Sequence, residues 1–235
     1  MLSRRLLRIK AVKALYSHFK SESDSLIVSE KNLMLSIDKT YYPGRRAFYE
    51  LTPVKKHNIV MLGNSLTERG LWGEYFQPAY VLNRGIGGDC VSGMIARLET
   101  ILSGKPKAMF IMAGTNDLIF SKTSYEKLLE QYERMLDIIA RESPRTKVYI
   151  QSLLPLVEDR QDYFKGKNKR IAGFNAVLRE MAERRNLPYI DIWSAIQNNG
   201  ALPEEFTHDG IHLTGPGYAV WVETLRPYMK PYMKK

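Results

Sequence analysis

Two apolar runs, NIVMLG at 58–63 and KAMFIMA at 107–113, restrict the fold more than any other feature of the chain. Each is short and unbroken, the first ending at Gly63 and the second followed by Gly114. Runs of this length without polar alternation suit strands buried on both faces. Amphipathic stretches lie between and after them. Ser92–Leu102 puts Met94, Leu98 and Leu102 on one helical face, and Ser124–Arg141 aligns Leu128, Tyr132, Met135 and Ile139. Lys169–Arg185 and Gly217–Met229 read as further helices, and Tyr80–Asn83, Lys147–Leu153 and Pro188–Ile192 as further strands. Strand and helix therefore alternate along the chain. The pattern predicts an α/β fold in which a five-stranded parallel sheet is covered by helices on both faces. In such sheets ligands bind beyond the carboxyl ends of the strands.

The residues just past those ends carry chemistry. Four blocks follow in order: Gly63-Asn64-Ser65-Leu66-Thr67, Asn83-Arg84-Gly85-Ile86-Gly87-Gly88-Asp89, Gly114-Thr115-Asn116-Asp117 and Asp209-Gly210-Ile211-His212-Leu213. Ser65, Gly88 and Asn116 each follow a strand, so the topology gathers them at one edge although 23 and 28 residues separate them. Together the blocks supply what ester cleavage through an acyl-enzyme needs. Ser65 is the candidate nucleophile. His212 is the candidate base, and Asp209, three residues earlier, can hold its ring and stabilise the imidazolium. The Gly88 backbone N–H, the Asn116 side-chain amide and the Ser65 N–H are candidate oxyanion donors.

Each block also has a plain structural reading. Ser65 could cap a helix, Asp209-Gly210 could be a turn beside a satisfied histidine, and Gly85, Gly87 and Gly88 could be a simple glycine turn. It is the four together, in order, that favour catalysis. His208 sits beside the aspartate in a position unsuited to the same geometry, while His18 and His57 fall outside the blocks. No Gly-Lys-Ser/Thr follows the glycines and the GxGxxG order is absent, which argues against a nucleotide site. One cysteine and four scattered histidines leave no zinc spacing, and no cofactor is expected.

Composition narrows the partners. The net charge of +10 suggests nucleic acid until it is located. Residues 1–57 hold +7 of it and the last ten residues +4, so 58–225 is close to neutral at −1. A nucleic-acid partner is thus not expected, and the blocks point to a small-molecule ester. No apolar stretch reaches the roughly 18–20 residues of a membrane span, and the single Cys90 excludes an internal disulfide. In MLSRRLLRIKAVKALYSHFK, Leu6, Ile9, Val12, Tyr16 and Phe19 recur at helical spacing. Arg8, Lys10 and Lys13 interrupt any signal-peptide core. This start reads as a docked amphipathic helix, and the location expected is cytoplasmic. A second helix is expected around Ser29–Asp38, a turn at Tyr41-Tyr42-Pro43-Gly44 and a connecting segment over Arg45–Lys56. The expected division is a helical extension over 1–44 and a catalytic domain over 45–235. Oligomeric state is open, with a homodimer among the options.

Over roughly residues 45–230 the four blocks resemble the SGNH (GDSL-type) hydrolases, named for a Ser, Gly, Asn and His. The catalytic segment looks most like bacterial acylhydrolases related to platelet-activating-factor acetylhydrolase subunits. The resemblance implies a three-layer flavodoxin-like fold, nucleophile Ser65, oxyanion donors Gly88 and Asn116, base His212 and acid Asp209. It also implies a serine esterase acting on short acyl esters, acetyl groups on carbohydrate first among them. Thioesters and lysophospholipids are the alternatives within the class, and a non-catalytic binding protein working through its basic N-terminal helix is the alternative outside it. Asn64 stands where the family usually has aspartate, and Cys90 where threonine is frequent. The first forty residues resemble the opening of NusB-type antitermination factors, but they are too short to build that bundle, and a fusion remnant is the simpler expectation.

Overall fold

In the computed structural model, residues 41–121 and 123–233 are described. The expected helices before residue 41, and His18 with them, lie outside that range. The chain divides into two units, parting between Thr52 and Pro53. In the first, residues 41–50 are helical and the expected turn at 41–44 does not form. Ladders one helical turn apart favour the helix: Arg45 donates to the Tyr49 hydroxyl at 3.0 Å, and Arg46 pairs with Glu50 at 3.3 Å.

The second unit contains five strands, β1 (Ile59–Gly63), β2 (Val81–Gly85), β3 (Ala108–Met112), β4 (Lys147–Gln151) and β5 (Tyr189–Ile190). All neighbours pair in parallel, in the order β2-β1-β3-β4-β5. This is the flavodoxin-like order, whose direction of winding reverses between β1 and β3. β1 and β3 are buried at every residue, as the apolar runs require. The helices are α1 (Ser65–Glu68), α2 (Trp72–Tyr75), α3 (Val91–Ala96), α4 (Leu98–Leu102), α5 (Thr115–Ile119), α6 (Tyr125–Glu142), α7 (Lys167–Arg184), α8 (Ile192–Ile196) and α9 (Gly215–Met233). Helix α6 buries Leu128, Tyr132, Met135, Leu136 and Ile139, and the Ser124 hydroxyl caps its start by accepting from the Lys127 N–H. Helix α9 seals its side of the sheet: Trp221 packs on Trp72 at 4.9 Å and donates to Gln151 Oε1 at 2.8 Å. No helix among the described residues is long and apolar enough to cross a membrane.

Three expected elements differ in extent. Strand β2 runs on through Gly85, because Asn83, Arg84 and Gly85 stay in register with Met61, Leu62 and Gly63 of β1. Only Tyr189 and Ile190 of the expected 188–192 strand pair; Asp191 leaves the sheet and caps α8 by accepting from the Ser194 N–H at 3.0 Å. The expected Ser92–Leu102 helix breaks at Arg97, which leaves helical geometry at φ −116°, ψ 5°. Its side chain turns inward to pair with Asp89 at 2.8 Å, and both side chains are almost wholly buried. A buried ion pair is favourable only with close geometry and further hydrogen bonds. Here Arg97 also donates to the Gly63 carbonyl at 3.2 Å.

Candidate active site

Ser65 opens α1 directly beyond β1. Its backbone turn is made by Asn64, whose side-chain oxygen accepts from the Leu66 N–H at 3.0 Å. The amide oxygen thus does what a carboxylate would do at a helix start, without the charge. With one turn of helix, α1 cannot satisfy its own carbonyls, and neighbouring side chains take them. Tyr218 O–H donates to Leu66 O at 2.6 Å, and Trp72 Nε1–H to Thr67 O at 2.7 Å. The Asn83 amide nitrogen lies 3.0 Å from Thr67 O, 2.9 Å from Glu68 O and 3.0 Å from Gly70 O. Gly85 lets β2 pass under this turn: a Cβ there would fall 2.2 Å from the Glu68 nitrogen. The serine is therefore held from below by three separate elements.

Asp209 and His212 come from the loop before α9. Asp209 Oδ1 accepts from the Ile211 and His212 N–H groups at 3.1 and 2.8 Å, which folds the loop back on itself. Its other oxygen lies 2.6 Å from His212 Nδ1, and His212 Nε2 lies 2.9 Å from Ser65 Oγ. Burial raises the Asp209 carboxyl, but the imidazole, the two N–H groups and the histidine's charge outweigh it and bring the pKa down to about 2. Burial lowers the His212 pKa, and the nearby Arg69 charge adds to this; Asp209 opposes both without reversing them. A carboxylate facing a neutral imidazole puts the ring proton on Nδ1, leaving the Nε2 lone pair toward the serine hydroxyl. His208 is exposed and His57 packs edge-on against Tyr80 at 4.9 Å.

Gly88 follows β2 and adopts φ 77°, a conformation that favours glycine. Asn116 is the second residue of α5, beyond β3, and is buried. Its amide donates to the Asp89 carbonyl at 2.9 Å, one residue past Gly88, and has a second N–H to offer. Because β1 lies between β2 and β3, Ser65 leaves the sheet between the strands that precede Gly88 and Asn116. Asp89 joins these parts. Its carbonyl holds Asn116 and its carboxylate holds Arg97, which in turn holds the end of β1. Glu68 adds a strap: its carboxylate accepts from the Gly87 N–H at 2.8 Å, tying α1 to the glycine loop. Asp117, buried and with its pKa raised chiefly by that burial, accepts from the Val91 N–H at 3.2 Å and caps α3. Among the described residues no three His, Cys, Asp or Glu side chains gather in a metal-binding group.

A family model described as GDSL-like lipase/acylhydrolase matches residues 61–220. The chain belongs to this family. Its members are hydrolases of carboxylic esters, and the chain is one of these enzymes. It is 28% identical over 173 residues to the platelet-activating factor acetylhydrolase IB subunit alpha2 of Rattus norvegicus, covering 70% of this chain and 72% of that one. A Streptococcus pneumoniae structure described as a platelet activating factor superposes with a TM-score of 0.76 at 25% identity, over 88% of this chain and all of that one. An acetylxylan esterase of Geobacillus stearothermophilus, solved as a catalytic serine variant, shares the fold with a TM-score of 0.59 at 19% identity, over 75% and 95% of the two chains.

Sequence reasoning named the five candidate residues but missed those that pack around them. Asn83 was read as the end of a strand and Gly85 as part of a glycine turn, neither with a part in holding the serine. Glu68, three residues after the serine, gave a signal only as a carboxylate beside the nucleophile turn. Arg97 gave none, since an arginine in a helical pattern reads as solvent-facing.

Proposed function

We propose that the chain is a serine esterase that removes short acyl groups, acetyl first, from carbohydrate esters through an acyl-enzyme. The observation that carries this reading is the unbroken line Ser65 Oγ–His212 Nε2–His212 Nδ1–Asp209 Oδ2, with steps of 2.9 and 2.6 Å. Acetyl as the acyl group is supported by the curated relative, an acetylhydrolase by name. The activity is assigned to the unit beginning at Pro53, which contains all five residues.

In this reading His212 takes the Ser65 proton as Oγ attacks the ester carbonyl. The N–H groups of Ser65 and Gly88 and the second N–H of Asn116 receive the oxyanion. Collapse breaks the bond to the alcohol, which leaves with the proton from His212. Water, deprotonated by the same imidazole, then releases the acid and frees Ser65. Asp209 stays ionised throughout and stabilises the imidazolium.

Assay with 4-nitrophenyl esters of increasing chain length tests the reading directly; turnover that rises with chain length would contradict the short-acyl assignment. Asn116→Ala should lower kcat by about 10²–10³ with little change in KM, the usual effect of losing one oxyanion donor. A rise in KM at constant kcat would make Asn116 a ground-state contact instead. The pH dependence follows from His212. Only the neutral ring accepts a proton, and its pKa lies below the ordinary 6.5, so activity should rise with pH along one acid limb centred below 6.5. A midpoint above 6.5 in kcat/KM would contradict the role given to burial.

A further inference from the structure

Six large apolar side chains are more than half exposed among the described residues, and two of them touch each other. Phe120 and Tyr163 lie with ring centroids 5.8 Å apart, tilted by 50°. Their positions in the fold are specific. Phe120 caps the C-terminal end of α5, and its N–H donates to the carbonyl of Asn116 itself at 2.9 Å. Tyr163 packs edge-on at 4.8 Å against Phe164, which is buried. The Phe164 ring in turn backs the histidine loop: a Cβ on Gly210 would come within 3.2 Å of it. Gly210 lies between Asp209 and His212, and its carbonyl is held by the Val157 N–H at 2.9 Å. The ring pair therefore bridges the helix of the oxyanion asparagine and the loop of the base.

We infer that Phe120 and Tyr163 form a platform for the alcohol portion of the substrate, and that this portion is a saturated ring such as a pyranose. The inference rests on the esterase reading above and extends it. The leaving oxygen must receive its proton from His212, so the alcohol lies on the side of the histidine loop. That is the loop Tyr163 abuts through Phe164. An exposed aromatic face offers a pyranose its negative π surface, which attracts the weakly positive C–H groups of the sugar face. Two rings tilted by 50° make an open shelf and not a slot, which suits a ring resting on one face better than an extended chain threaded between walls. The shelf costs apolar exposure in the free enzyme, a cost expected where a ligand covers the patch.

The test compares acetyl esters of two alcohols, one acyclic and one a sugar: ethyl acetate and peracetylated methyl β-xylopyranoside. In the Phe120→Ala/Tyr163→Ala double variant, kcat/KM for the sugar ester should fall roughly tenfold or more, mainly through KM, as loss of ring contacts predicts. Ethyl acetate should stay within about twofold, since it does not reach the shelf. Phe120→Tyr and Tyr163→Phe, which keep the rings, should keep the preference. Equal losses on both esters would reduce the pair to a structural role and overturn the proposal. So would no loss on either, or a loss confined to 4-nitrophenyl octanoate, which would assign the shelf to an acyl chain. Saturation-transfer NMR with methyl β-xylopyranoside reads the shelf without turnover. The sugar C–H signals should appear with the parent enzyme and vanish with the double variant, and their absence from the parent would overturn the proposal even if every ester were hydrolysed. Conversely, sugar binding with no hydrolysis of any ester would support the shelf while the esterase reading failed.

Discussion

Ser65→Ala and His212→Ala should each abolish ester hydrolysis, lowering kcat by about 10⁴–10⁶, and the double variant should be no worse than either alone. The reason is geometric. At 2.9 Å the two groups act as one unit: the hydroxyl is nucleophilic only when the ring accepts its proton, and the ring has no proton to accept without the hydroxyl. Losses within such a unit do not add. Neither substitution should unfold the chain, because Ser65 is only partly buried and the turn is held by Asn64, Asn83 and Tyr218, not by the hydroxyl. His208→Ala is the matched control and should retain most activity, since that side chain is exposed. Steady-state kinetics on 4-nitrophenyl acetate with folding checked by circular dichroism decide the matter. Activity in Ser65→Ala within tenfold of the parent would remove Ser65 from the chemistry, and inactivity of His208→Ala with an active His212→Ala would reverse the assignment of the base.

Arg97→Met should cost about 3–5 kcal/mol of folding stability, because it removes the cation paired with the buried Asp89 carboxylate. Asp89 is almost wholly buried, and Arg97 supplies both its ion pair at 2.8 Å and a donor to the Gly63 carbonyl at 3.2 Å. Adding Asp89→Asn should recover part of the loss, since a neutral amide is less costly to bury than a charge. Urea titrations of the four chains in the cycle measure this through the shift in midpoint at constant slope. A loss below about 1 kcal/mol would mean that water reaches the carboxylate and that the pair is not a closed one. Activity should fall alongside stability, because Arg97 and Asp89 link the end of β1 to the loop of Gly88 and to Asn116.

These two expectations had different sources. Ser65 and His212 were legible in the sequence as candidates, because a nucleophile and a base must be particular residue types and their blocks are short and local. The Asp209–His212 spacing was legible too, since three residues are enough for one turn to bring a carboxylate onto its own ring. Arg97 was not legible. Its periodicity fits an exposed helical position, and only a charge buried at Asp89, eight residues earlier, draws it inward and breaks the helix. Asn83 was read as the end of a strand and Gly85 as part of a glycine turn, yet both are strand residues that receive the Ser65 turn from the neighbouring strand.

By itself the sequence determined the alternation of buried strands and amphipathic helices, and with it the fold class, because burial on two faces demands unbroken apolar runs and burial on one demands helical periodicity. It also determined the residue types of the candidate site. The tertiary structure alone decided the strand order β2-β1-β3, which sets the serine between the strands leading to Gly88 and Asn116. It alone decided that a loop 147 residues away should close on Ser65, and which carbonyls Asn83, Trp72 and Tyr218 should hold. Such choices depend on contacts between segments distant in sequence, where no local pattern records which surface will meet which.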